Sequence, residues 1–384
     1  MRTHPPHWPE PIGALARLDR DGGPTPVLAL DISAIREQYH ALVKAIPDAQ
    51  VFYAMKANPH PAVLRALVDE GCGIDAASLN EIHDALKAGV APGDISYGNP
   101  VRRASDVAAA HDEGVSVFTV DDESELDKVL RHAPGSLVSV RVLTDGDGAA
   151  WPLSRKFGTD TASATRLVQR ARDAGHPIGM TFHVGSQQAL PDAWDDALAA
   201  VAAALEPVHL DPGERISVNL GGGLPGRLDD PTPDLAAYAD TIHRAIDRHL
   251  DRALVDLAIE PGRFLVSDAG VIETEVLGVV DRPGQRTTRW AFLDVGLFQG
   301  LSEVGTETIR YPITSDRVGP TVPTVLAGPT CDSTDVLYEQ RPVDLPESLR
   351  SGDRLRLYGT GAYTVSCSTE FNGFEPLRVV TTEE

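Results

Sequence analysis

Cysteine, lysine and positive charge in general are scarce in this chain, and each scarcity removes a class of explanation. The three cysteines, Cys72, Cys331 and Cys367, stand far apart. An odd and dispersed set suggests neither a disulfide framework nor a zinc site, so no metal is expected. No apolar run approaches the ~20 residues that cross a bilayer. The opening Met1-Arg2-Thr3-His4-Pro5-Pro6 has no apolar core of the kind a secretion signal carries. A cytoplasmic protein is the expectation. The net charge is −22, which argues against nucleic acid or an anionic membrane as partner. The only lysines are Lys44, Lys56, Lys87, Lys128 and Lys156, and arginine supplies the other cations.

What is present is a long, ordinary globular chain. With 384 residues, 42% hydrophobic and 23% charged, it can bury a large core in more than one domain. From about residue 50 to 263, short apolar runs alternate with amphipathic stretches. The expected strands are 51–55, 73–76, 95–98, 115–120, 137–143, 178–184, 215–220 and 256–260. Helical spacing lies between most of them, as in Val63, Leu64, Leu67 and Val68, or Leu198, Val201 and Leu205. Eight strands alternating with helices predict a (β/α)8 barrel over 31–265, with a doubly wound open sheet as the competing architecture. After residue 265 the segments are short, β-rich and punctuated by Gly and Pro, which predicts an antiparallel β domain over 266–384. Residues 1–30 contain Ala14-Leu15-Ala16-Arg17-Leu18 and Val27-Leu28-Ala29-Leu30 and are expected to add strands to it.

Lys56 ends the apolar run Val51-Phe52-Tyr53-Ala54-Met55. Burial disfavours an ammonium, so such a position is expected to lower the amine pKa and make it nucleophilic. The alternative is a strand-end lysine that snorkels to solvent. The neighbours decide between them. Asp75, Asn99, Arg141, His183, Asn219 and Glu260 all fall at the C-terminal ends of the expected strands, where a (β/α)8 barrel carries its active site. Gly221-Gly222-Gly223-Leu224-Pro225-Gly226 matches a dinucleotide pattern formally. Pro225 and a place on the seventh strand favour a simpler cradle of backbone N–H groups for one phosphate. Ser186 and Arg263 complete that cradle. A reactive lysine, a phosphate cup, a flat histidine and a carboxylate together suggest pyridoxal 5′-phosphate (PLP), whose ring nitrogen a carboxylate keeps protonated.

Several ordered motifs resemble those of the fold type III, alanine-racemase-like PLP decarboxylases, the ornithine, lysine and diaminopimelate decarboxylase family. They are Tyr53-Ala54-Met55-Lys56-Ala57-Asn58, Phe182-His183-Val184-Gly185-Ser186, Gly221-Gly222-Gly223, Glu260-Pro261-Gly262-Arg263, Gly328-Pro329-Thr330-Cys331-Asp332-Ser333 and Gly361-Ala362-Tyr363-Thr364, with Phe371-Asn372-Gly373-Phe374 following. The resemblance implies that Lys56 bonds the cofactor, His183 stacks on its ring and Glu260 pairs with the ring nitrogen. It implies that Ser186, Gly223, Arg263 and Tyr363 hold the phosphate, and that Arg141, Gly222 and Gly262 also bind the cofactor. Asp75 and Glu81 would orient Lys56. Cys331 would return a proton to the substrate carbon after CO2 leaves. Cys331 and Asp332 would enter from a partner subunit, which implies a homodimer with shared active sites. One departure is Pro152 in Trp151-Pro152-Leu153-Ser154, where ornithine decarboxylases often carry arginine; Arg155 is the nearest replacement.

The expected reaction is α-decarboxylation of a basic L-amino acid. A distal ammonium calls for carboxylates. Asp332 and Glu307 are the candidate acids, with Tyr363 also near the substrate. Ornithine or lysine is favoured over diaminopimelate, because no cationic contact for a second carboxylate is evident. The two favoured substrates differ by one methylene, worth only about 1–3 kcal/mol of discrimination. The competing readings are a racemase, which releases no CO2, and a non-catalytic homologue, which has no need to keep Lys56, His183, Glu260 and Arg263.

Overall fold

The structure is a computed structural model describing residues 12–283 and 288–383. The first eleven residues of the 1–30 segment lie outside the described residues. Eight parallel strands close a barrel: Ala49–Ala54, Gly73–Ala76, Ile95–Tyr97, Val117–Val120, Leu137–Arg141, Ile178–Thr181, Ile216–Asn219 and Val255–Ile259. Each expected strand is present, its ends within three residues of expectation. All four residues of Gly73–Ala76 and of Ile178–Thr181 are buried. That follows from having side chains in the barrel lumen on one face and helices on the other. The crossover helices pack by the apolar spacing read from the sequence. Leu79–Lys87, for example, buries Ile82 and Ala85, and Ser78 caps it by accepting from the Glu81 N–H.

Register places the polar residues on one rim. Asp75 pairs with Ala54, Ser96 with Asp75, and Asn219 with Ala258. Lys56 lies just beyond the first strand, in the single 3₁₀ turn Met55–Ala57.

The second domain departs from expectation in two ways. Its nine-stranded sheet is mixed rather than purely antiparallel. Val27–Leu30 runs antiparallel to Gly270–Arg282 and parallel to Arg378–Thr381, and Thr288–Leu293 runs parallel to Thr321–Ala327. Long connections permit these parallel neighbours, and local spacing does not reveal them. The other departure is Ala14–Leu18, which lies in the helix Ile12–Asp21 instead of a strand. Ala14, Leu15 and Leu18 follow helical spacing and pack on Val27, Ala29, Val271, Tyr358 and Val380. One continuous core otherwise runs from the barrel into the β domain.

The β domain also closes the barrel mouth. Asn58 donates its side-chain amide to the Gly361 carbonyl at 2.8 Å, and the Tyr363 N–H donates to Ala57 at 2.7 Å. Tyr363 holds a left-handed backbone, with φ of 57°, a conformation that non-glycine residues adopt mainly where surrounding structure enforces it.

Candidate active site

Two connected recesses meet at Lys56. A narrow cup is lined by Ala54, Lys56, His183, Ser186, Gly222, Gly223, Glu260, Gly262, Arg263 and Tyr363. An open cavity of about 1050 Å³ extends from Lys56, Asp75, Arg141, His183 and Tyr363 to Pro152, Ser154, Arg155, Lys156 and Phe157. The rim residues expected from the sequence therefore come together.

Lys56 is 45% exposed into the cavity, and its ammonium lies 3.0 Å from the buried Asp75 carboxylate. Surrounding protein pushes the amine pKa down, but Asp75 first, then Tyr363 and Glu260, push it up harder, and the net shift is upward. The sequence expectation of a lowered pKa is thereby corrected. The carboxylate that overturns it sits on the neighbouring strand, out of sight of local sequence. Gly98 makes room for this pair: a Cβ there would stand 2.1 Å from Asp75 Oδ1. Glu81 makes no hydrogen bond to Lys56 among the described residues, though its carboxylate feels the Lys56 charge. Its carboxylate accepts from the Ala77 N–H at 2.6 Å and so braces the loop behind Asp75.

Glu260 accepts from the Asn219 side chain at 2.6 Å and from Ser96 at 3.4 Å. Burial first, and then the Asp75 charge, raise its pKa to about 7, against the opposing pull of Lys56, Asn219 and Arg141. Asn219 is itself fixed, accepting from the Gly221 N–H at 2.9 Å. The His183 pKa is driven well down by burial, then by the nearby Arg141 and Lys56. Its Nδ1 accepts from the Gly185 N–H at 3.0 Å, so the ring is neutral with its proton on Nε2. Arg141 stands 5.4 Å over the Phe157 ring, and burial lowers its pKa.

The cup fits a phosphate and an attached planar ring. Arg263 is fully buried and leaves Nε and Nη1 without a hydrogen-bond partner among the described residues. Buried guanidinium donors of this kind call for an anion. Arg263 Nη2 lies 3.5 Å from Ser186 Oγ, and the guanidinium stacks 4.8 Å from the Tyr363 ring. The floor is glycine for a steric reason. A Cβ at position 222 would stand 3.0 Å from His183 Nε2, and one at 223 would stand 2.6 Å from Val184 Cγ2. The neutral His183 ring, Glu260 and Lys56 then supply a flat face, a carboxylate and an amine to the same ligand.

Three expected residues do not line this chain's cavity. Cys331 is exposed, with its N–H and thiol on Asn372 Oδ1 at 3.2 and 3.3 Å. Asp332 accepts from the Thr334 N–H and hydroxyl at 2.9 and 2.7 Å. Glu307, on a left-handed residue with φ of 54°, accepts from the Gln340 and Arg341 N–H groups at 2.6 and 2.9 Å. Sequence reasoning missed Gly98, Ser96, Phe157 and Glu303. Glu303 lies 2.6 Å from Arg263 Nη2, and no spacing in the sequence links the two.

Comparison with known proteins agrees with this geometry. Residues 32–267 match the family described as pyridoxal-dependent decarboxylase, pyridoxal binding domain. The chain is 36% identical to the lysine/ornithine decarboxylase of Selenomonas ruminantium, over 91% of this chain and 88% of that protein. The lysine/ornithine decarboxylase of Vibrio vulnificus, solved with putrescine, superposes with a TM-score of 0.83 at 31% identity, covering 96% of both chains. The Paramecium bursaria Chlorella virus arginine decarboxylase, solved with agmatine, superposes with a TM-score of 0.85 at 27% identity, covering 97% of this chain and 100% of that one. The cup, the barrel that carries it and the match over the barrel lead to one assignment: the chain belongs to the pyridoxal-dependent decarboxylase family, and its cofactor is PLP.

Proposed function

We propose that the chain removes the α-carboxylate of a basic L-amino acid, ornithine or lysine, in a homodimer with shared sites. The observation that carries the reading is the joining of the two recesses at Lys56. The cup suits the cofactor, and the open cavity accommodates an extended aliphatic side chain. The names and ligands of the relatives, lysine, ornithine and arginine decarboxylases with diamines or agmatine bound, support a basic substrate.

When bound, the cofactor would supply an electron sink for the bond between Cα and the departing carboxylate. The chain's own residues set up that chemistry. Arg263, Ser186 and the glycines hold the phosphate. His183 presents a neutral face that adds no charge beside the ring. Glu260, whose pKa is raised to about 7, carries or shares a proton at the ring nitrogen. Asp75 keeps Lys56 cationic and oriented whenever its amine is free. Gly262 packs tightly beside the turn that carries Lys56, where a Cβ would lie 3.2 Å from Ala57 Cβ and 3.3 Å from Ala54 Cβ.

Cys331 as the proton donor to Cα, and Asp332 as a contact for the distal ammonium, both require a second subunit. Exposed apolar side chains near Cys331 support such an interface. Phe371 and Phe374 are each 38% exposed, and Phe371 stacks 4.2 Å from Phe298. Glu307 serves the substrate only if its loop opens, because both of its oxygens are engaged by backbone donors. Among the described residues no helix is long and apolar enough to cross a membrane. The three free cysteines suit a reducing, cytoplasmic setting.

A second reading, a diaminopimelate or other dicarboxylate substrate, gains from one observation. Arg155 and Lys156 line the cavity, where a second carboxylate would meet cations. The discriminating experiment supplies PLP with L-ornithine, L-lysine, L-arginine or meso-diaminopimelate, and measures CO2 and the amine product by mass. Putrescine or cadaverine supports the main reading. Lysine formed from diaminopimelate supports the second. D-amino acid without CO2 refutes both.

A further inference from the structure

The arginine of the phosphate cup is already paired with a carboxylate that does not itself line the cup. Glu303, on the turn Ser302–Thr306 of the β domain, lies 2.6 Å from Arg263 Nη2, with side-chain exposures of 14% and 2%. Nη2 also donates toward Ser186 Oγ, at 3.5 Å. Glu303 therefore engages the same guanidinium nitrogen that reaches toward Ser186 in the cradle. The rest of the pair is poorly satisfied. Glu303 Oε2, Arg263 Nε and Nη1, and the neighbouring Tyr311 hydroxyl have no hydrogen-bond partner among the described residues. The turn is anchored by the buried Val304, which keeps the carboxylate close.

We propose that Glu303 competes with the cofactor's phosphate for Arg263, so that cofactor loading is weaker and more reversible than the rest of the cup would allow. A phosphate monoester carries about −1.5 to −2 charge near neutral pH. It must share or displace a carboxylate already paired to the one arginine of the cup. Like charges a few ångströms apart in a low-dielectric recess repel strongly. The inference rests on the reading that Arg263 holds the phosphate.

The test separates phosphate from ring. Purified holoenzyme is stripped of cofactor and titrated with PLP, or with pyridoxal, which lacks the phosphate; cofactor absorbance reports binding. Glu303→Gln keeps the size and a hydrogen-bonding oxygen but removes the charge. Its dissociation constant for PLP is expected to fall about tenfold or more, while that for pyridoxal stays within about twofold. An unchanged or weaker PLP constant, or equal shifts for both ligands, overturns the proposal. Should that variant not fold, Glu303→Ser removes the same charge and carries the same expectation. Arg263→Ala is the control. If it does not selectively weaken PLP relative to pyridoxal, the phosphate assignment fails. If it does, and Glu303→Gln changes nothing, only the competition fails.

Discussion

Replacing Asp75 with asparagine tests the electrostatics of Lys56. Nζ and Asp75 Oδ2 are 3.0 Å apart. At an effective dielectric near 20, two unit charges at that separation attract by about 5–6 kcal/mol. The amine is 45% exposed to an open cavity, so solvent screening reduces the useful part to about 1–3 kcal/mol, or roughly one to two pK units. The sign is clear. The wild-type pKa is raised, so the neutral amine that bonds the cofactor is rare at neutral pH and increases with pH. In Asp75→Asn the pKa falls, and the profile of cofactor-uptake rate against pH moves one to two units toward acid. At pH 8, covalent uptake by stripped protein is then roughly 10–100-fold faster, even if turnover is lower. Stopped-flow absorbance with PLP across pH 6–10 measures it. An unshifted profile in a folded variant would refute the assignment of Asp75 as the group holding Lys56 cationic.

Glu260→Gln has a stability signature in the cofactor-free protein. The folded pKa of about 7 lies above the ordinary 4.5. The folded chain thus holds a proton that the unfolded chain releases between those values, and Glu260 lowers stability progressively as pH rises through that window. The variant should gain about 1–3 kcal/mol over wild type at pH 8 and close to nothing near pH 4.5, by urea denaturation; an equal gain at both pH values would contradict the buried-carboxylate account. Cys331→Ala should slow amine formation by about 10²–10⁴, as expected for loss of a general acid, and should divert part of the reaction to protonation on the cofactor; an unchanged rate and product remove it from the mechanism. If sites are shared, mixing inactive Lys56→Ala with Cys331→Ala subunits should restore roughly a quarter of the wild-type rate, because half the dimers are mixed and each mixed dimer has one intact site. No recovery in mixed dimers would place Cys331 and Lys56 in the same subunit's site.

Much of this site was legible because the relevant signals are local. Each barrel strand is a short apolar run followed by a polar residue, so the run itself places Lys56, Asp75, Arg141, His183, Asn219 and Glu260 on one rim. The phosphate cradle was legible because Gly222 and Gly223 face His183 and Val184 too closely for side chains. What escaped depends on contacts between segments distant in sequence. The direction of the Lys56 pKa shift depends on Asp75 in the adjacent strand, and Glu303 reaches Arg263 from another domain. The parallel pairing of Val27–Leu30 with Arg378–Thr381 joins the two ends of the chain. The helix at Ala14–Leu18 was misread because five residues cannot separate a helical stripe from a strand.

The most direct test of the central claim compares purified wild-type protein with Lys56→Ala, each supplied with PLP. The readouts are CO2 release from L-ornithine and L-lysine and the visible absorbance of covalently held cofactor. Wild type should release CO2 from at least one substrate and show the absorbance, and the variant should lose both. CO2 release at a wild-type rate from Lys56→Ala would contradict the account.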